Sequence, residues 1–285
     1  MLTTEERVVV DPKERRAVVL ELVRAARKRL RLSLFRCNDE ELIAELMNAA
    51  GRGVTVEALV TQRAKGWQKR LDRLREQLAD GGVTVHVYAD PVVKYHAKFI
   101  VADAGPSLVG SLNFTRKCFK RTSDFLVITG EPTIASGLIA LFEADMRDLP
   151  VPGDLPWRLI VGPEYARQRL EHLLKKARRS IKIIDRKVTD PSMLALLRAK
   201  HSEGLEVAIA SGDQVCDLAS HGQLLVIDDT VAVIGSIALS SKSLAFRREV
   251  SIIIDDTFAV ERLSRYADRA LEGHDTRASL EARPE

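Results

Sequence analysis

The stretch HAKFIVADAGPSLVGSLN, residues 96–113, decides how the chain is read. Two short apolar runs flank ADAGP, a cluster of turn formers, so the stretch predicts a strand, a tight turn and a returning strand. Among its polar residues, five stand at separations that look chosen: His96, Lys98, Asp103, Ser111 and Asn113. Side chains alternate across a strand with a period of two, so His96 and Lys98 share one face while Ala97 and Phe99 share the other. Ser111 and Asn113 obey the same rule on the way back. The pattern predicts one cluster holding a nucleophile or base, a cation and two neutral hydrogen-bonding groups, an inventory suited to a phosphate. Asp103 falls at the turn, where an aspartate commonly fixes local backbone.

The stretch has a second copy. HGQLLVIDDTVAVIGSIALS begins at His221, 125 positions after His96, and the offset holds for Asp103 and Asp228, Gly110 and Gly235, Ser111 and Ser236, and Asp124 and Glu249. Upstream, an offset of 151 relates RVVVDPKERRA at Arg7 to RLIVGPEYARQ at Arg158, ARKRLRLSLF at Ala26 to ARRSIKIIDR at Ala177, and GVTVEALV at Gly53 to GLEVAIAS at Gly204. The chain therefore reads as a tandem duplication. Its first half carries about 26 extra residues, the difference of the two offsets, and RAKGWQKRLDRLREQLADGGVTVHVYADP from Arg63 is the candidate insertion.

Each half alternates strands and helices. In the first, strand Val8–Val10 leads to a helix over Lys13–Arg29, a strand over Leu30–Phe35, a helix starting near Asn38 or Asp39, and a strand over Val54–Val60. The insertion and the hairpin follow, then the strand DFLVITG and a helix over Ile134–Arg147. This predicts an α/β fold of two tandem pseudo-symmetric halves, each a mixed sheet flanked by helices. The expected limits are 1–148 and 158–272, joined by a proline-rich linker at 149–157 and followed by a charged tail at 273–285. In the insertion, Trp67, Leu71, Leu74 and Leu78 form an apolar stripe among basic residues, read either as a packed surface helix or as a contact for an anionic substrate.

Composition narrows the partners. The 285 residues hold 44 Lys and Arg against 40 Asp and Glu, a net charge of +4, with a pI near 9.0, a mild tilt toward anions. A charged N-terminus and the lack of an apolar run of about 18 residues predict a cytoplasmic protein with no transmembrane segment. Cys37, Cys118 and Cys216 are odd in number and lack metal-type spacing, so reduced thiols are expected and no metal or other cofactor.

These residues resemble the signature of the phospholipase D superfamily: His, any residue, Lys, four residues, Asp, then Gly-Ser-x-Asn. The match runs through His96, Lys98, Asp103, Gly110, Ser111 and Asn113. The resemblance covers nearly the whole chain, because that family is also built of two halves facing each other across a pseudo-two-fold axis. It implies metal-independent phosphodiester chemistry in which one histidine attacks phosphorus and another protonates the leaving alkoxide. It places His96, His221, Lys98, Asp103 and Asp228 in the catalytic set, and Ser111, Asn113, Ser236 and Gln223 against the substrate. Asp124 and Glu249 resemble the carboxylates that orient the histidines. His96, with the complete set of neighbours, is read as nucleophile and His221 as general acid.

The second copy departs from the signature. Gln223 replaces the lysine and Ala238 the asparagine, so one cation and one amide are missing from the phosphate cradle. The expected function is a phosphodiesterase acting on a phospholipid by hydrolysis or transfer, with peripheral membrane contact. The alternatives are a nuclease of the same superfamily and a phosphodiester-binding pseudoenzyme.

Overall fold

A computed structural model describes residues 6–272; the expected charged tail lies outside them. The first half forms a seven-stranded mixed sheet with the spatial order Arg7–Val9, Leu126–Thr129, Ser107–Gly110, Phe99–Ala102, Arg29–Leu34, Thr55–Thr61 and Thr84–Tyr88. The second repeats that order with Leu159–Gly162, Arg247–Ile254, Val231–Gly235, Gln223–Ile227, Ser180–Ile184 and Glu206–Ala210. The first sheet's additional edge strand, Thr84–Tyr88, and the preceding helix Gln68–Asp80 are the insertion. Leu71, Leu74 and Leu78 of that helix are buried, so its stripe is a packing face.

Local chemistry sets the boundaries. Asp39 and Asp190, related by the 151 offset, cap the helices Glu40–Gly51 and Pro191–Ser202 by accepting from Leu42 N and Met193 N. The helix expected over Lys13–Arg29 is Pro12–Ala25 and stops four residues short. The reason is Asp103, whose carboxylate accepts from the backbone N–H of Arg27, Lys28 and Arg29 at 2.7–3.0 Å and turns the chain from helix into strand. Asp228 does the same for Arg178, Arg179 and Ser180.

Alternation makes every strand two-sided. Phe99, Val101, Val109 and Val127 point into a core shared with Leu224, Val226, Ile234, Val250 and Ile252 of the other half. Ile100, Leu108 and Leu126 face the first half's outer helices, while Leu225, Ile227 and Ile253 face the second's. The sheets are thus joined through their inner faces. Two short parallel pairings cross between the halves: Lys94–Tyr95 with Arg247–Arg248, and Leu218–Ser220 with Thr122–Ser123. Under the 125 offset each is the image of the other. No helix among the described residues is long and apolar enough to cross a membrane.

Candidate active site

The crossing pairings set the site. His96 N donates to Arg248 O at 2.8 Å, and Gly222 N donates to Ser123 O at 2.6 Å, so each histidine segment is stitched to the strand of the other half. Glu249 follows Arg248 and Asp124 follows Ser123. His96 Nδ1 consequently lies 2.5 Å from Glu249 Oε1, and His221 Nδ1 lies 2.8 Å from Asp124 Oδ1. Each half's carboxylate serves the other half's histidine. Both acids are fully buried, and both histidines are partly exposed.

The remaining signature residues divide into two groups. Asn113 Nδ2 lies 3.2 Å from His221 Nε2, again across the halves. Lys98, buried, donates from Nζ to His96 O at 2.6 Å, and Gln223 Nε2 donates to His221 O at 3.0 Å, so the glutamine reproduces the lysine's bond without its charge. The serines do not line the cluster as the strand pattern predicts. Ser111 Oγ donates to Asp124 Oδ1 at 2.6 Å and accepts from Phe125 N, while Ser236 Oγ is bonded to the backbone of Val250. They brace the acid-bearing strands. Asp103 and Asp228 stand at the far ends of strands Phe99–Ala102 and Gln223–Ile227, away from the histidines, with their oxygens occupied by backbone N–H groups. They hold the fold rather than a substrate.

Burial dominates the electrostatics. His96 is held well below the ordinary histidine range by desolvation, then by the positive charges of Lys98 and Arg247 and by His221 and Lys94. Lys98 is pushed down to about 7 by burial, against the opposing pull of Glu249 and Asp124. Glu249 is pushed up to about 7 by burial, despite Arg247, Ser243 and Lys98. Asp124, although buried, is held below the usual carboxylate range by His221 and by hydrogen bonds from His221, Ser111 and Thr122.

Several neighbours escape the signature. Phe35 sits edge-on to His96 at 4.7 Å between ring centroids, and three cations lie over its ring: Arg36 at 5.0 Å, Lys94 at 5.3 Å and Lys98 at 5.7 Å. Ser243 donates to Glu249, and Cys118 occupies the matching place 125 positions earlier, beside Asp124. Spacing from the repeat could have found that pair; the cations around Phe35 come from separate segments and have no linear signal. Cys118, Asp124 and His221 are the one group among the described residues whose donor atoms lie close enough to share a metal ion. The Asp124 oxygens already accept from Ser111, Thr122 and His221, and burial pushes the thiol above its ordinary range, so these donors are committed within the chain.

The sequence profile of the family described as "Cardiolipin synthase, PLD-like domain" matches residues 19–146. No curated protein matches the chain. Among solved structures, polyphosphate kinase from Porphyromonas gingivalis superposes with a TM-score of 0.75 at 17% identity, over 93% of this chain and 46% of that one. This chain thus spans about half the length of that enzyme. Phosphatidylserine synthase from Haemophilus influenzae Rd KW20 superposes with a TM-score of 0.73 at 14% identity, over 95% of this chain and 87% of its own. At these identities the likeness is one of fold.

Proposed function

Because the chain belongs to the phospholipase D superfamily, we propose that it cleaves or transfers a phosphodiester, with phospholipid as the favoured substrate, through a phosphohistidine intermediate. The observation that carries this reading is the crosswise pair of histidines, each held at Nδ1 by a buried carboxylate of the other half. That leaves Nε2 as the reacting nitrogen of each, with Asn113 set against that of His221. The depressed His96 is a neutral imidazole at neutral pH. Its Nε2 lone pair forms the bond to phosphorus as the bond to the leaving oxygen breaks, and that oxygen takes the Nε2 proton of His221. His221, now neutral, accepts a proton from water or an alcohol, which attacks phosphorus and breaks the P–N bond to restore His96.

Asn113 fits both stages of His221. Its Nδ2 donates to a neutral Nε2, and a half-turn of the amide brings Oδ1, which is buried with no partner among the described residues, to accept from a protonated one. Lys98 supplies positive charge near the reacting phosphorus. Gln223 keeps the bond to its histidine's carbonyl, which favours a working site over a binding-only relative. A nucleic-acid backbone is the second reading, favoured by the cations around Phe35. We place the protein in the cytoplasm, with peripheral contact at a lipid surface in the phospholipid reading.

The test uses bis(4-nitrophenyl) phosphate, labelled phospholipid vesicles and labelled oligonucleotides, with acid-labile phosphohistidine as the trapped species. His96→Asn is expected to lower turnover by on the order of 10²–10⁴-fold and to abolish trapping. His221→Asn should still release one 4-nitrophenolate per chain, because that group leaves without a proton, and then stall. Turnover unaffected by His96→Asn would remove the assignment.

A further inference from the structure

We propose that the insertion builds a second anion subsite beside His96, which takes a further phosphate carried by the substrate next to the scissile phosphodiester. The inference rests on the phosphodiesterase reading and names the substrate class for that site. A cavity of about 690 Å³ opens between the insertion and the segment leading to His96, lined in part by Arg63, Lys65, Gly66, Gln68, Tyr88 and Lys94. The second half has no counterpart of the insertion and hence none of this wall.

Three features make the cavity attractive to an anion. First, Arg63, Lys65 and Lys94 are exposed, and no carboxylate lies within ion-pair distance of any of them among the described residues. Second, Gly66 and Gln68 present the N-terminus of the 13-residue helix Gln68–Asp80, which has no side-chain cap and no acidic residue in its first turn. Its partial positive charge therefore remains open to a ligand. Third, cations are gathered here at a cost: the Lys94 ammonium is disfavoured by burial and then by Arg247, Arg36, Lys242 and Lys65. A bound polyanion would offset that repulsion. The nearby carboxylate of Asp90 has one oxygen committed to the N–H groups of Val92 and Val93. Arg36 fixes the loop by donating to Lys65 O at 3.1 Å.

Position completes the argument. Lys94 precedes His96 by two residues, about 7 Å of extended chain, and the Lys94 ammonium and the His96 ring both lie against Phe35, so a phosphate held by Lys94 adjoins the one attacked by His96. Such a further phosphate is carried by phosphorylated lipid headgroups and by nucleotides alike.

Two matched pairs separate those sources: thymidine 5′-(4-nitrophenyl phosphate) with and without a 3′-phosphate, and phosphatidylglycerol phosphate against phosphatidylglycerol in phosphatidylcholine vesicles. The expected result is a kcat/KM at least about tenfold higher for the phosphorylated member of one pair, a difference of about 1.4 kcal/mol. The pair that responds identifies the source. In the double variant Arg63→Gln, Lys65→Gln the ratio should fall to about 1; both side chains are exposed, and the unphosphorylated member is the internal reference. No preference in either pair, or a preference that survives the double variant, overturns the subsite. If the wild-type chain turns over no diester, the reading in the preceding section fails, and calorimetry with inorganic pyrophosphate decides the subsite alone. Binding weakened about tenfold in the double variant supports it, and absence of binding overturns it.

Discussion

Glu249 and His96 share a 2.5 Å contact in which the carboxylate decides where the imidazole keeps its proton. Ionised Glu249 accepts from Nδ1–H and leaves the Nε2 lone pair free. A protonated Glu249 donates to Nδ1 instead and forces the ring proton onto Nε2. Since Glu249 is pushed up to about 7, kcat/KM should fall as the pH drops through about 7. Glu249→Gln, whose amide can hold the wrong tautomer, should lower kcat by on the order of 10²–10⁴-fold at every pH, with little change in KM. Stability moves oppositely. The folded pKa lies above the model-peptide value of 4.5, so the native state binds more protons between about 4.5 and 7 and ionisation costs stability as pH rises through that window. Denaturation at pH 5 and pH 8 should therefore differ less in Glu249→Gln than in the parent chain. An acid limb unmoved by the substitution would show that another group controls the tautomer. The motif histidines and both acids were legible in the sequence, but which acid meets which histidine was not. Those contacts span 153 and 97 positions, and strand alternation says nothing about a partner sheet.

At the scale of elements, the repeat was legible because the same caps and turns recur. The expected elements appear in order, and the first-half helix overran because Asp103 ends it from 74–76 positions away. Asp103 and Asp228 both take the left-handed backbone of a turn, at φ 56° and 53°. Their place in the signature thus reflects the geometry of the turn. The signature glycines are likewise matters of space: a Cβ on Gly235, at φ +151°, would sit 2.4 Å from Ser251 Cα. Asp190 is the cap with most to lose. It accepts from Met193 N, from Ser241 Oγ and from both terminal nitrogens of Arg167, and Arg167 first among these holds it down at about 2. Its folded pKa is depressed, so its contribution is present above about 4 and is lost as pH falls toward 2. Asp190→Ala should cost about 1–2 kcal/mol at pH 7, counting the cap and a partly exposed ion pair, and flatten acid unfolding between pH 4 and 2. Urea denaturation at pH 7 and pH 3 measures both.

The whole molecule is held by the shared inner core and by ionic ties between the halves, among them a buried one at Arg248. Arg248, on the second half's strand, bonds Asp145 of the first half's closing helix at 2.9 Å, and also Glu164 and Gly162 O. Burial raises Asp145 to about 7 despite Arg248. Arg248→Met would strand that carboxylate and should destabilise the fold by about 3–5 kcal/mol, whereas adding Asp145→Leu should recover much of the loss. We propose that the halves at 1–148 and 158–272 unfold in one transition, since neither can cover its inner sheet face alone; two resolved transitions in calorimetry would count against this.

Crosswise acids also constrain how such a chain could arise. A single ancestral half, carrying His96 and Asp124 alone, would own a nucleophile and a carboxylate that never meet within one copy. Two identical copies, however, would complete each other twice over. Duplication within one chain then frees the copies to differ, and here they have: one keeps the lysine and the asparagine and carries the insertion, while the other holds a glutamine and an alanine in their places.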